Sequence, residues 1–233
     1  MKVRFVLVET QFPANIGAAA RAMKVMGFED LWLVSPRRFP DPEANRLAAE
    51  AGDILDSATV VEDLDEALAG CALTIATSNR ERTADWPTLP ADEAARLAAE
   101  EAGTCAFVFG PEASGLSSEA VYRARYRSFI PTGPLASSLN LAQAVQVFAY
   151  ELRRAGPVSS AASNTERPAT HEARQHCYAA WRDALVALDF PRRDPDHLML
   201  RFERIFNRAG LTEREVSMLH GLATRIVQRA GTA

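Results

Sequence analysis

The sequence predicts an α/β fold, with a mostly parallel sheet that is covered by helices on both faces. Short apolar runs of strand type alternate roughly six times with segments of helical periodicity, a pattern typical of parallel strands joined by helical crossovers. The composition, 48% hydrophobic and 24% charged, is that of a globular protein, and 233 residues suffice for a full α/β core with an appendage.

The predicted elements follow one another along the first two thirds of the chain. The strands are apolar runs at residues 3–8, 30–35, 58–61, 72–78, 105–110 and 126–131. The helices have apolar residues at helical spacing and lie at 15–28, 42–53, 63–70, 91–103 and 117–124, and a longer helix follows within 134–154. We expect Gly27 to end the first helix, and Asp63 and Glu66 have the spacing of a capping box.

The composition changes at residues 156–170, GPVSSAASNTERPAT, which are nearly free of large apolar side chains. We interpret this segment as a linker or a mobile loop between a domain at 1–155 and an all-helical extension at 171–233. Thr212 and Glu215 form a predicted capping box at the start of the last of three helices. Because so short a helical segment has a small core of its own, we expect it to pack on the main domain or on a second subunit.

Several classes of protein are disfavoured by the sequence. No apolar run approaches the ~20 residues that cross a bilayer, and the N-terminal stretch is of strand type rather than a signal peptide, so we expect a cytoplasmic protein without a membrane partner. Cys71, Cys105 and Cys177 are far apart and odd in number, which predicts buried free thiols. The four histidines all fall in the last third of the chain, and we predict no metal site.

The charge distribution neither clearly favours nor excludes a nucleic-acid partner. The net charge of −4 weighs mildly against a phosphate-rich partner. The arginines are nevertheless clustered in short groups, and local patches of this kind can bind RNA on an acidic protein. Arg80, Arg82 and Trp86 lie in one such segment, at 80–90, for which a substrate-facing loop and a solvated lid are equally consistent with the sequence.

The candidate chemistry lies in loops that follow predicted strands, where parallel sheets bind their ligands. These loops contain no G-x-G-x-x-G, no P-loop and no G-x-S-x-G, which disfavours a dehydrogenase, a P-loop nucleotidase and a serine hydrolase. Instead, the first loop carries Asn15 and Arg21, the segment FGPEASGLS carries Glu112, and SSLN carries Ser138 and Asn140. Each is alone consistent with a cap, a turn or a surface residue, but together at one sheet edge they indicate a functional site.

Asn140 is expected to lie already inside the long helix. Asn is a poor residue there because its amide competes for the backbone, and capping alone needs only one hydroxyl. We therefore predict that Ser138 and Asn140 serve a site as well as the helix start.

These residues resemble a known family, the SpoU (TrmH) branch of the SPOUT methyltransferases. The resemblance lies in N-x-x-x-x-x-R at Asn15 and Arg21, in F-G-x-E-x-x-G-L from Phe109 to Leu116, and in S-L-N-L-A-x-A-V from Ser138 to Val145. Within that branch the chain is most similar to the TrmJ-type tRNA 2′-O-methyltransferases, strongly over 3–155 and weakly over 171–230. The three motifs in this order are specific, whereas any one alone would not be.

The resemblance implies a SPOUT domain with a C-terminal trefoil knot and a homodimer whose active site takes groups from both chains. It implies S-adenosylmethionine as the cofactor, held by residues that match Thr77, Ser78, Asn79, Gly110, Ile130, Ser137, Ser138 and Leu139. The implied substrate is tRNA, at the 2′-hydroxyl of C or U at nucleotide 32 of the anticodon loop. Methylation of ribosomal RNA and noncatalytic RNA binding stay open as alternatives.

The roles of the five catalytic candidates follow from the chemistry of methyl transfer to a ribose hydroxyl, in which the protein mainly aligns the reactants and helps a proton leave. Asn140 can donate and accept, so it can orient the ribose or Ser138. Arginine is a poor base, and we therefore expect Arg21 to grip a phosphate and steady the developing alkoxide. Glu112 is expected to orient Arg21 or Asn15 across the dimer.

Overall fold

The computed structural model describes residues 1–80, 86–133, 138–156, 167–190 and 195–231. The chain divides into two compact units, Met1–Ala161 and Ala162–Ala233. Each unit is described by itself.

The first unit is built on a seven-stranded sheet, in the order β3-β2-β1-β6-β4-β7-β5. The strands are β1 (Lys2–Val8), β2 (Asp30–Val34), β3 (Thr59–Val61), β4 (Cys71–Thr77), β5 (Thr88–Pro90), β6 (Thr104–Phe109) and β7 (Tyr126–Phe129). All neighbouring strands pair in parallel, so the predicted parallel sheet is confirmed. The short edge strand β5 was not predicted, because three residues at 88–90 are too few to show an apolar alternation.

The helices of this unit lie close to their predicted positions. They are α1 (Pro13–Met26), α2 (Pro42–Ala48), α3 (Gly52–Asp56), α4 (Leu64–Leu68), α5 (Ala91–Glu100), α6 (Ser118–Tyr122) and α7 (Leu141–Ala155). Gly27 ends α1 with a left-handed backbone at φ 81°, as predicted. The helix predicted at 42–53 is interrupted by a 3₁₀ turn at Ala49–Ala51, where Ala49 itself has φ 50°.

Helices cover both faces of the sheet, as predicted. The residues of β1 show this, because successive side chains of a strand point to opposite faces. Phe5 and Leu7 lie in a core with residues of α1, α5 and α7, whereas Val6 and Val8 lie in a second core with residues of α4 and α6. Phe148 of α7 packs on the sheet in the first core, with its ring 5.6 Å from that of Phe107 and 5.7 Å from that of Phe109.

The central four strands, β1, β6, β4 and β7, place the candidate loops at one edge. Leu7 is in register with Phe109, Ala76 with Val108, and Thr77 with Ser128. Because the strands are parallel and in step, the loops after β1, β4, β6 and β7 leave the same edge side by side.

The second unit contains three described helices, α8 (His171–Ala187), α9 (Pro195–Ala209) and α10 (Glu213–Ala230), which confirms the predicted helical extension. Thr212 and Glu215 form the predicted capping box: Glu215 Oε2 accepts from the backbone nitrogen of Thr212 at 2.7 Å, and Thr212 Oγ1 accepts from that of Glu215 at 3.3 Å. The hydrogen bonds that Glu215 Oε2 accepts from the backbone nitrogen of Thr212 and from its hydroxyl, at 3.0 Å, lower the pKa of the Glu215 carboxyl. Cys177 and Val216 share a small core between α8 and α10.

The cysteines are free and buried, as predicted. Burial raises the pKa of the Cys105 and Cys177 thiols. In the parts of the chain that the structure describes, no group of three or more His, Cys, Asp or Glu side chains could hold a metal ion. None of the helices among the described residues is both long enough and apolar enough to cross a membrane.

We predict that Gly17→Ala destabilises the first unit by at least about 2 kcal/mol, since overpacked contacts typically cost this much. A Cβ on Gly17 of α1 would lie 2.0 Å from the carbonyl oxygen of Ala44 in α2. Gly52→Ala is the matched control, because a Cβ there meets nothing within 4 Å and its φ is −59°. Urea dependence of amide hydrogen exchange in β1 measures both, and equal protection in the two variants would contradict the close contact.

Candidate active site

One carboxylate fixes the loop between β1 and α1. Glu112, in the loop after β6, accepts the backbone nitrogen of Gln11 on Oε2 at 2.9 Å, and its Oε1 accepts that of Phe12 at 3.3 Å. The same Oε1 accepts Asn15 Nδ2 at 2.7 Å. Hydrogen bonds to an ionised acceptor are among the stronger ones, so Glu112 joins the ends of two central strands firmly.

The Asn15 side chain connects Glu112 to Asn140. Asn15 Oδ1 accepts from Asn140 Nδ2 at 3.0 Å. A carboxylate can only accept, so the end of the Asn15 amide that faces Glu112 must be the NH₂, and the oxygen must face Asn140. The acid therefore sets the orientation of both amides, although Asn140 is 125 residues from Asn15 in sequence.

The predicted position of Asn140 inside the helix is wrong: α7 begins at Leu141, and Asn140 is its N-cap. Asn140 Oδ1 accepts the backbone nitrogen of Ala142 at 2.9 Å, and Gln143 Oε1 accepts that of Asn140 at 3.2 Å, which completes a capping box. The residue is therefore favourable where it stands. Its Oδ1 caps the helix and its Nδ2 donates to Asn15, and its service to a functional site stays a prediction.

The contact of Glu112 with Asn15 lies within one chain, and the orientation of Arg21 by Glu112 across a dimer stays a prediction. Arg21 lies six residues further along α1, or about 9 Å at 1.5 Å per residue. It is exposed and makes no hydrogen bond or ion pair with the described residues. The structure thus brings together Asn15, Glu112 and Asn140 and leaves Arg21 apart from them.

A cavity of about 470 Å³ opens beside this group, at the ends of β4, β6 and β7. Its walls include Glu112 and the predicted cofactor residues Thr77, Ser78, Asn79, Gly110, Ile130, Ser138 and Leu139. The remaining one, Ser137, lies outside the described residues. Gly110 is required by a close approach, since a Cβ there would lie 2.2 Å from the backbone nitrogen of Leu116.

The cavity has a polar side and an apolar side. Thr77 and Ser78 are partly exposed and Asn79 is exposed, and Thr77 Oγ1 donates to the carbonyl oxygen of Val108 at 2.9 Å. The apolar side consists of residues that the motifs did not single out as ligand contacts: Phe109, Leu141, Ala144 and Phe148. Phe109, Leu141 and Ala144 belong to the motifs and Phe148 to the apolar face of the helix, but neither pattern distinguishes a cavity wall from a filled core.

Neither prediction for the segment 80–90 holds for Trp86. It is 6% exposed, and its ring lies 5.0 Å from that of Tyr122, so it offers no stacking surface. Arg80 is exposed and lines the cavity, and its carbonyl oxygen accepts a hydrogen bond from Arg127. Arg82 lies outside the described residues.

Both units of the chain match known protein families. Residues 2–150 match the SpoU rRNA Methylase family, and residues 172–233 match the C-terminal domain of the tRNA methyltransferase TrmJ. The chain therefore belongs to the SpoU methylase family.

Particular relatives narrow the comparison to one branch of the family. The chain is 41% identical over 235 residues to the tRNA (cytidine/uridine-2′-O-)-methyltransferase TrmJ of Salmonella typhimurium, covering 97% of each chain. The crystal structure of TrmJ from Z. mobilis ZM4 superposes with a TM-score of 0.87 at 32% identity, covering 97% of this chain and 99% of that one. A probable methylase family protein from Haemophilus influenzae gives a TM-score of 0.65 at 35% identity, covering 99% and 97%.

We predict that Glu112→Gln speeds hydrogen exchange at the amides of Gln11 and Phe12 by about tenfold or more, since hydrogen bonds to charged groups contribute about 1.5–3 kcal/mol. Glutamine keeps one acceptor oxygen, and its NH₂ cannot accept from the amides that Glu112 now binds. Exchange measured by NMR on the ligand-free protein tests this without an assay of activity. Glu93→Gln, at an exposed carboxylate on α5, is the control. Unchanged exchange in Glu112→Gln would show that Glu112 is only a turn residue.

Proposed function

We propose that this chain is an S-adenosylmethionine-dependent methyltransferase that acts on the 2′-hydroxyl of a tRNA ribose. The observation that carries the proposal is the match of both units, one to the SpoU methylases and one to the TrmJ C-terminal domain. The TrmJ relative bears that activity in its name, and the similarity extends over 97% of this chain.

The cavity fits the cofactor in size and in chemistry. Its 470 Å³ fall within the range of small-molecule sites. The apolar side suits the faces of a purine, and the polar side at Thr77, Ser78 and Asn79 suits a ribose and the charged methionine end. When bound, S-adenosylmethionine supplies an activated methyl group on a sulfonium centre.

The side-chain amides of Asn15 and Asn140 can bind the substrate but are not bases that could take its proton. Each Nδ2 carries two hydrogens, and the observed contacts use one from Asn15 and one from Asn140. The second hydrogen of each can donate to a ribose or phosphate oxygen. Since Glu112 fixes both amides, we assign it a positioning role. Ser138 lines the cavity, and we assign it to binding where the cofactor meets the substrate.

Arg21 is assigned to a phosphate of the RNA and to the developing alkoxide. Arginine side chains in general are poor bases near neutral pH, so we assign the removal of the proton to water or to a phosphate oxygen. Arg21 has no partner among the described residues, which leaves it available for an anionic ligand.

We further infer a homodimer in which the second copy completes the active site. Arg21 lies on the exposed side of α1 in a stripe with Val25, which is 68% exposed, and Phe12 at the start of the helix is 57% exposed. Exposed apolar side chains around a charge that the site needs are consistent with a subunit interface. The trefoil knot and nucleotide 32 rest on the resemblance to the family, whereas the domain bounds 1–155 and 171–233 rest on the change of composition at 156–170 and the cytoplasmic location on the absence of a long apolar run in the sequence.

Ribosomal RNA is the second candidate substrate, because the matched family is described by rRNA methylation. The match at 172–233 favours tRNA, since that C-terminal domain is described for a tRNA methyltransferase.

We expect the protein to transfer label from S-adenosylmethionine to unmodified tRNA transcripts and to leave unlabelled a transcript with a 2′-deoxy nucleotide at position 32. The deoxy transcript is the control, because it lacks only the accepting hydroxyl. Label on both transcripts would support the methyltransferase activity but show that the methylated nucleotide is not at position 32. Label on neither, with the cofactor bound and ribosomal RNA labelled, would favour the second candidate.

Arg21→Lys should lower kcat/KM for methyl transfer by about a hundredfold or more, the usual cost of losing one donor to a transition-state oxyanion. Lysine keeps the charge and loses the planar fork that binds phosphate in two places. Arg46→Lys, an exposed residue of α2 that pairs with Glu43, is the control. Near-full transfer by Arg21→Lys would contradict the assigned role.

A further inference from the structure

Ser128 has a buried hydroxyl whose purpose the fold does not explain. It is 0% exposed, and within the described part of the chain its Oγ has no hydrogen-bond partner. Its neighbours of the same parity, Tyr126 and Ile130, pack on the core that lies under α7, so the Ser128 side chain points to the same face of the sheet. A buried polar group without a partner is unfavourable, and native structures seldom retain one without a reason.

Ser128 borders the cavity of the candidate active site. Ser128 lines the cavity beside Phe109, Leu141, Ala144 and Phe148, all of which are apolar. Thr77, which is in register with Ser128 on the neighbouring strand, belongs to the polar side of the same cavity. Ser128 therefore brings one hydrogen-bonding atom, which is itself buried, next to these apolar side chains.

We propose that Ser128 Oγ binds the edge of the adenine ring of the cofactor, an inference that rests on the proposed function. Of the parts of S-adenosylmethionine, adenine alone combines apolar faces with hydrogen-bonding atoms confined to an edge. The methionine end carries two charges and would be desolvated among the phenylalanines at a high cost. A serine hydroxyl both donates and accepts, so it can pair with a ring nitrogen or with the exocyclic amine.

This assignment makes the hydroxyl unfavourable in the free protein and favourable in the complex. Without ligand, the buried oxygen has lost water and gained no partner. With the adenine edge in place, the hydrogen bond replaces the lost hydration. Removal of the oxygen should therefore change stability and cofactor affinity in opposite directions, which a purely structural serine would not do.

The test compares Ser128→Ala with Thr10→Val in the full chain. Thr10 is the matched control, because it is 1% exposed, its Oγ1 likewise has no partner among the described residues, and it does not line the cavity. Calorimetric titration with S-adenosylmethionine and with S-adenosylhomocysteine measures affinity. Scanning calorimetry of the ligand-free proteins measures the melting temperature.

We expect Ser128→Ala to weaken binding of both ligands by about five- to tenfold, the usual net effect of one hydrogen bond. The same variant should melt about 2–4 °C higher without ligand, whereas Thr10→Val should melt higher with unchanged affinity. Unchanged affinity of Ser128→Ala, or a lower melting temperature of its ligand-free form, would overturn the inference. Failure of the unmodified protein to bind either ligand would instead overturn the proposed function, and the inference with it.

Discussion

The site depends on the single negative charge of Glu112. The hydrogen bonds of this carboxylate to Gln11 and Asn15 join segments that are 101 and 97 residues apart in sequence. The parallel sheet brings those segments to one edge, but it does not by itself fix the conformation of the loops. The acid supplies that constraint, because two backbone N–H groups and one amide converge on it.

The charge also removes an ambiguity that amide side chains carry. The two ends of an asparagine are nearly equal in shape, so a pair of asparagines alone could orient either way. The Glu112 carboxylate can only accept, so the hydrogen-bonded series Glu112–Asn15–Asn140 has one arrangement in which every donor meets an acceptor. The geometry of Asn140 is thereby set by a residue that it does not touch, which explains why the three motifs of the family belong together.

Much of the fold was predictable because apolar runs report strands and helices directly. The strand-end convergence of Asn15, Glu112 and Asn140 followed from the parallel topology. Their pairing did not, because spacing along the chain carries no information about which side chains share a hydrogen bond across more than 90 residues. Boundaries depend on single residues, and so Asn140 was placed in the helix that it caps.

Burial was the least predictable property. Trp86 lies in a polar segment and reads as exposed, yet Tyr122 covers it from a helix more than 30 residues away. Ser128 lies in β7, and the sequence around it does not indicate that its hydroxyl has no hydrogen-bond partner among the described residues. Such properties arise from the packing of distant elements, which local patterns do not encode.

The capping box at Asn140 has a dynamic consequence. The ends of helices usually fray, because their terminal amides are held only by local contacts. Here the cap residue also holds Asn15 of α1, so the first turn of α7 cannot open without breaking the amide series. Helix fraying and site assembly thus form one cooperative unit. A ligand that binds the assembled amides would also suppress fraying of α7, and the order of that first turn would report occupancy of the site.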